Sequence, residues 1–515
     1  MEAFDYVVVG GGTAGCVVAA RLSEDPEARV LLLEAGQAGG PAEISDPMAW
    51  PRLGGTPVDW AYETAPQINT DNAVHQWPRG KVLGGSSAIN GMMFIRGDRS
   101  SYDAWETAGA TGWNYETLLP FFKRSEQAPG GDPAYRGVDG PMIVAPSADT
   151  DPLWEACFQA AIEAGYPPNP DSNAASAAGT SWNDVNVVNG KRQSTADAYL
   201  TPAVRRANLT IVTGAHARRL LIDNSICRGV EYGVDGRLVT ALADRDVILA
   251  AGAIGSPQLL MLSGVGPAAH LRQVGSDVAL DLPGVGSNLQ DHPKSQVAYR
   301  ATRSVRTGRP ARKPHVLLRS EPGATPDLQV IFVEFPILPR WVPGPGDGYS
   351  VIFSLMTPAS RGTVRLAGAD PTQAPLIDPG YLSEPGDITS MTIGLRAARM
   401  IGSAPALRPF RDHELFPGPD AESDDALRAY VRATVSTYFH PVGTCKIGTD
   451  PTAVVDPALR VHGIEHLRIA DASVMPSIVS GNTNAAVLAI AERAASLITG
   501  EPTLRERPTL PAASA

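Results

Sequence analysis

Asp5-Tyr-Val-Val-Val-Gly10-Gly-Gly12-Thr13-Ala14-Gly15-Cys16, then an Ala/Val-rich run to Ser23, then Arg29-Val-Leu-Leu-Leu-Glu34, is the stretch that decides the fold. A short apolar run, a glycine turn, a helical segment and a second apolar run read as β-α-β. Gly10, Gly12 and Gly15 make G-x-G-x-x-G between strand and helix, and Glu34 ends the next strand 19 residues beyond Gly15. The first glycine makes the turn, the second lets the backbone approach a pyrophosphate, and the third lets helix pack on strand. The helix N-terminus at Thr13 and Ala14 favours the anion. Glu34, with Ala35 beside it, can accept hydrogen bonds from both ribose hydroxyls and disfavours a 2′-phosphate. The motif predicts a bound dinucleotide without choosing between nicotinamide and flavin.

The rest of the 515 residues fits a small-molecule enzyme. With 43 basic and 54 acidic residues the net charge is −11, which argues against nucleic acid or an anionic membrane as partner. The 51 glycines and 45 prolines exceed average usage of roughly 7% and 5%, predicting many tight turns and close backbone approaches. Cys16, Cys157, Cys227 and Cys445 form no C-x-x-C, so neither a disulfide framework nor a zinc site is expected, and a reducing compartment fits. Met1-Glu2-Ala3-Phe4-Asp5 carries acid where an export signal needs Lys or Arg, and no run of about 18 apolar residues occurs, so a cytoplasmic protein with no membrane span is expected.

Beyond residue 35 the chain is loop-rich to about 100. Helices are expected over Trp105 to Glu126, Leu153 to Gly165, Gly252 to Ser263, Ile388 to Ile401, Asp424 to Thr437 and Asn484 to Ile498. Strand-like runs at Leu209 to Thr213, Arg218 to Asp223 and Asp246 to Ala250 resume the first pattern, while Leu328 to Phe335 and Val351 to Met356 belong to a stretch of different character. The fold class is α/β (α+β overall): a Rossmann-like domain of residues 1–150, 195–300 and 436–500, interleaved with a substrate domain of 151–194 and 301–435 built on an antiparallel sheet. Residues 501–515 read as a polar, flexible tail.

Two further glycine-rich stretches, Arg79-Gly80-Lys-Val82-Leu-Gly84-Gly85-Ser86-Ser-Ala-Ile-Asn90 and Gly252 through Gly266, precede Phe439-His440-Pro-Val-Gly-Thr444, Val455-Asp456-Pro457, Arg468 to Pro476 and Ser480-Gly-Asn482-Thr483-Asn484. In order and spacing these blocks resemble the glucose-methanol-choline oxidoreductase family, in its choline dehydrogenase-like and aryl-alcohol or hydroxymethylfurfural oxidase-like branch, over essentially the whole chain. The resemblance implies FAD and transfer of a hydride from an alcohol carbon to flavin N5. His440 matches the family's active-site histidine and Asn482 its second position, His or Asn. An imidazole with pKa near 6.5 can take the hydroxyl proton as the hydride leaves, whereas an amide can only hold the oxygen. The resemblance also implies cofactor contacts from Asn90, Gly91, Met92 and Met93 beside the ring system, from Ala217, Ala251 and Gly252, from Asp471 and Ala472 near the ribityl and pyrophosphate portion, and from Thr483 and Asn484 at a helix N-terminus.

Departures from the family pattern matter too. Members that bind flavin covalently use a histidine where Ile89 stands, so non-covalent FAD is expected. Choline-specific relatives carry an acid ahead of the strand near Val316. Here Arg312 and Lys313 stand there, and their charges disfavour a quaternary ammonium. Phe439, Phe332, Phe335, Trp341 and Phe353 either line an aromatic-tolerant pocket or serve as core. Glu334 either meets a substrate amine or hydroxyl or is salt-bridged. His292 in Asp291-His-Pro reads as structural, and His462 and His466 as surface residues. No H-E-x-x-H, nucleophile elbow or carboxylate pair supports a hydrolase or metalloenzyme. The expectation is oxidation of an alcohol to aldehyde or ketone, with electrons passing to oxygen or another acceptor and the oligomeric state open. The rival readings are a hydroxynitrile lyase with structural FAD and a flavoprotein that acts only with another protein.

Overall fold

The Val7-Val8-Val9 run is buried because it becomes the centre of a parallel sheet. The computed structural model describes residues 2–305, 311–339, 342 and 347–501. Strand Glu2–Val9 pairs in parallel with Val30–Glu34 on one side and Arg237–Leu249 on the other. Leu209–Thr213 adds a parallel edge next to Val30–Glu34, and Leu467–Ile469 pairs with the end of Arg237–Leu249. Beyond it, Ile226–Val234 and His216–Asp223 extend the sheet as antiparallel hairpins. Helices Thr13–Leu22 and Thr483–Thr499 pack together on this layer, so the last helix of the described chain completes the domain begun by the first. Gly15 explains how closely the first turn is drawn: a Cβ there would stand 1.8 Å from the Gly10 carbonyl oxygen.

The second layer is antiparallel throughout, in the order Arg411–Phe416, Pro293–Ala301, Gly348–Leu355, Leu328–Val333, Pro314–Leu318, Gly179–Trp182, with Ser436–Thr437 pairing the start of Pro293–Ala301. Helices Pro152–Glu163, Pro385–Ser403 and Asp424–Thr434 cover one face, where Val330, Phe332, Val351 and Phe353 form a second core with Met391 and Leu395. Alternation along a strand sends Ile331, Val333 and Ile352 to the opposite face.

Three expectations need correction. Pro293–Ala301 belongs to the second sheet, so a boundary at 300 cuts a strand of the other layer. The helix expected over Trp105 to Glu126 is two, Arg99–Thr107 and Tyr115–Ser125, separated by Gly109 and Gly112 at positive φ; the Asn114 side chain caps the second on Thr117 N–H. Asp424–Thr434 stops before Ser436–Thr437, which is a strand. Trp341 and residues 502–515 lie outside the described residues. Among the described residues no helix is long and apolar enough to cross a membrane, and all four cysteines are buried and free.

Candidate functional site

A cavity of about 1310 Å³ is lined by residues of both layers. From the first come Gly10, Gly12, Thr13, Ala14, Glu34, Ala35, Ala217, Ala251 and Gly252; from the connecting loops come Arg79, Gly80, Gly85, Ser86 and Asn90 to Met93; from the C-terminal segment come Phe439, His440, Asp471, Ala472, Asn482, Thr483 and Asn484. Phe332, Glu334 and Phe335 border it from the antiparallel sheet. Three expected contact residues support the wall without lining it. Gly15 packs helix on strand. Val82 is buried with Leu53, Val58 and Ile89, and Gly84 N–H donates to the Gly11 carbonyl at 2.8 Å.

The lining suits a dinucleotide. Gly12 caps the first helix without a side-chain hydrogen bond, a Cβ on it would meet nothing nearer than 3.9 Å, and Thr13 and Ala14 bring the helix N-terminus to the cavity. The second glycine-rich stretch packs on the first, since a Cβ on Gly85 would stand 2.6 Å from the Gly12 Cα. Glu34 accepts from Gly11 N–H at 2.8 Å and Gly36 N–H at 2.7 Å. Burial pushes its carboxyl up to about 7 against the pull of those two bonds and Lys81. Asp471 accepts from Gly252 N–H at 2.8 Å, Ser256 Oγ at 2.5 Å and Ser473 N–H at 2.8 Å, tying the Gly252–Leu262 helix to the C-terminal segment. Arg79 donates to the Phe439 carbonyl at 2.7 Å and thereby holds the segment next to His440.

His440 sits at the end of a strained turn. Phe439 has φ 67°, a left-handed conformation costly for an aromatic residue, and is pinned on both sides. Its N–H donates to Thr437 Oγ1 at 2.7 Å, and the next N–H, that of His440, donates to Asp291 Oδ1 at 2.7 Å. Asp291 is buried and also accepts from Thr437 Oγ1 at 2.6 Å and from the Tyr381 hydroxyl. The His440 ring lies 4.6 Å from the Tyr438 ring, centroid to centroid.

Hydrogen bonding assigns the tautomer of His440. His292 Nε2 lies 3.1 Å from the Met356 carbonyl and 3.0 Å from that of Val479; carbonyls only accept, so Nε2 carries the proton. Burial holds the pKa of His292 down to about 3, leaving the ring neutral and its Nδ1 an acceptor. His440 Nδ1, 2.9 Å away, must then donate. Its Nε2 is left as a lone pair, 3.3 Å from Asn482 Nδ2. Burial, then His292, then Arg79 keep His440 well below its ordinary pKa. Asn482 is the N-cap residue of Thr483–Thr499, yet its side chain makes no capping bond and faces His440 and Gln329 instead.

His292 was expected to be structural; it is instead the direct partner of His440. His462, half-buried against the Gly448 carbonyl, and exposed His466 fit the surface reading. Next to the histidine pair, Ile331, Val333, Ile352, Met356 and Tyr438 form an apolar cluster with Met93 and Phe335. Phe332 touches the cavity, but its ring belongs to the second core, as does Phe353. Glu334 is ion-paired with Lys313 at 3.3 Å, and Arg312 is paired with Glu155 and stacked over Trp182. The two charges expected to repel a quaternary ammonium are therefore neutralised. A lysine that sequence reasoning passed over, Lys294, lines the cavity beside Phe439.

The chain is similar to known proteins over nearly its whole length. Residues 4–294 and 358–491 match the two family models described as GMC oxidoreductase. The chain is 41% identical to human mitochondrial choline dehydrogenase, covering 98% of this chain and 91% of that protein. It is 39% identical to an alcohol dehydrogenase [acceptor] of Pseudomonas putida, covering 96% and 95%. Among solved structures, pyridoxine 4-oxidase from Mesorbium loti superposes with a TM-score of 0.94 at 38% identity, covering 97% of this chain and 100% of that one.

Proposed function

The chain belongs to the glucose-methanol-choline oxidoreductase family and is an FAD-dependent alcohol oxidase or dehydrogenase, and we propose that His440 is its base and that Asn482 holds the substrate oxygen. The observation that carries this reading is the His292–His440 contact, which leaves His440 Nε2 unprotonated beside Asn482.

FAD, when bound, supplies the hydride acceptor. The glycine turns at Gly10 to Gly15 and at Gly84 and Gly85, with Glu34, would hold its dinucleotide portion. The uncapped N-terminus of Thr483–Thr499 favours negative charge in the cavity by about 0.5–2 kcal/mol. His440 receives the hydroxyl proton at Nε2, so the carbinol carbon becomes a hydride donor only when the oxygen is held there. As charge develops on the ring, His440 Nδ1–H remains bonded to His292 Nδ1, which keeps the ring from turning. The apolar wall of Ile331, Val333 and Ile352 excludes water from the reacting alcohol. Ile89 in place of a linking histidine supports non-covalent FAD.

Anaerobic mixing with a panel of primary and secondary alcohols is expected to bleach the oxidised flavin spectrum. The His440→Ala protein is expected to retain FAD and lose bleaching; normal reduction in that variant overturns the assignment. Mixing the reduced enzyme with oxygen in a stopped-flow instrument distinguishes an oxidase from a dehydrogenase.

A further inference from the structure

We propose that Lys294 sets specificity, its ammonium taking an anionic oxygen, a carboxylate or phenolate, carried by the substrate alcohol. The proposal deepens the alcohol-oxidation reading and rests on it.

Lys294 lines the cavity from the second position of strand Pro293–Ala301, two residues after His292. Lys294 and His440 line the same cavity. Its Nζ lies 5.8 Å from the centroid of the Phe439 ring and donates to Ser436 Oγ at 3.1 Å. Among the described residues no carboxylate lies within 4.0 Å of it. The carboxylate acting on it, Asp291, is already engaged by Thr437, Tyr381 and the His440 N–H.

Two other cations of the wall are ion-paired, and a third, Arg79, donates to the Pro78 and Phe439 carbonyls. Lys313 has Glu334 and Arg312 has Glu155. A partly buried ammonium set against one hydroxyl and the face of one aromatic ring is poorly compensated, and burial draws its pKa down to about 8. A substrate anion supplies the missing partner through a charge-assisted hydrogen bond strengthened by the low-polarity surroundings. The same charge rejects a quaternary ammonium, the role first expected of Arg312 and Lys313.

The test compares the holoenzyme with Lys294→Met and Lys294→Arg. Turnover with an artificial acceptor is measured on benzyl alcohol, on 3- and 4-(hydroxymethyl)benzoate, on 3- and 4-hydroxybenzyl alcohol and on choline. Binding of benzoate and of benzyltrimethylammonium is read from the flavin absorbance. The wild-type protein is expected to favour an anionic alcohol over benzyl alcohol in kcat/KM by about tenfold or more. Lys294→Met is expected to lower that ratio and benzoate affinity by about tenfold, and Lys294→Arg to retain most of both. Lys294→Gln replaces Lys294→Met if the latter loses FAD. Equal losses on charged and neutral alcohols, or benzoate affinity indifferent to Lys294, overturn the proposal. Lys294-dependent benzoate binding in a protein whose flavin no alcohol reduces upholds the anion site and rejects the alcohol-oxidation reading.

Discussion

His292 and His440, 148 residues apart in sequence, meet Nδ1 to Nδ1 at 2.9 Å. Two imidazoles can share that contact only if one donates and the other accepts, and the two carbonyls on His292 Nε2 decide which. His292 therefore orients the ring of His440 and selects its tautomer from behind the residues that line the cavity. Burial serves this role by keeping His292 neutral; a protonated His292 could not accept.

The first prediction concerns this pair. His292→Ala is expected to keep FAD and to slow anaerobic flavin reduction by about 100-fold, the scale of lost acid–base catalysis. It also removes the neutral acceptor of His440 Nδ1–H, a hydrogen bond that favours the protonated ring over the neutral one. A base must be unprotonated to act, so the acid limb of the rate profile should move to lower pH, further from the ordinary value near 6.5. A slower variant with an unmoved acid limb would show that His292 is only packing.

A second prediction concerns the strained turn. Asp291 is the common acceptor for Thr437, Tyr381 and the His440 N–H, the last at 2.7 Å. In Asp291→Asn an amide N–H must face one of these donors. Loss of a buried hydrogen bond to a charged acceptor costs about 1.5–3 kcal/mol. Flavin reduction is expected to fall by about tenfold or more, with a lower thermal midpoint and a full complement of FAD. Undiminished reduction would mean that Phe439 keeps its φ of 67° without this anchor.

The third prediction separates cofactor binding from turnover. Glu34→Ala leaves the Gly11 and Gly36 N–H groups without their acceptor and removes the acceptor proposed for the ribose hydroxyls. The FAD-to-protein ratio after gel filtration should fall, corresponding to affinity weaker by about 10- to 100-fold. Acid precipitation of the wild-type protein should leave the yellow colour in the supernatant. Colour retained in the pellet would overturn the reading of Ile89.

These residues show what could be read without coordinates. The β-α-β unit was legible because glycine spacing, apolar run and terminal Glu34 all act within the first 34 residues. The break between Arg99–Thr107 and Tyr115–Ser125 was also local, since Asn114 is a capping residue after two glycines, but the apolar periodicity on either side concealed it. His440 and Asn482 could be placed by their flanking motifs. His292 could not, because nothing in Asp291-His-Pro says which side chain it will meet 148 residues later. Nor could the neutralisation of Arg312 and Lys313, whose partners Glu155 and Glu334 are brought up by other elements.

The last prediction concerns stability. His315 is fully buried, with Ile331 and Ser181 as cross-strand neighbours, and neither ring nitrogen has a hydrogen-bond partner among the described residues. Burial lowers its pKa to about 4. The unfolded chain, with an ordinary value near 6.5, therefore binds a proton that the folded chain refuses, and stability falls as pH drops from about 6.5 toward 4. At pH 5 this histidine alone costs about 2 kcal/mol relative to neutral pH. His315→Leu removes both the unpaired imidazole and its titration, so its thermal midpoint should exceed that of the wild-type protein at pH 7.5 and exceed it by more at pH 5. His292 is unchanged in both proteins, so its acid sensitivity is common to the comparison. A gap between the two midpoints that stays constant with pH would show that His315 is protonated in the folded protein at little cost.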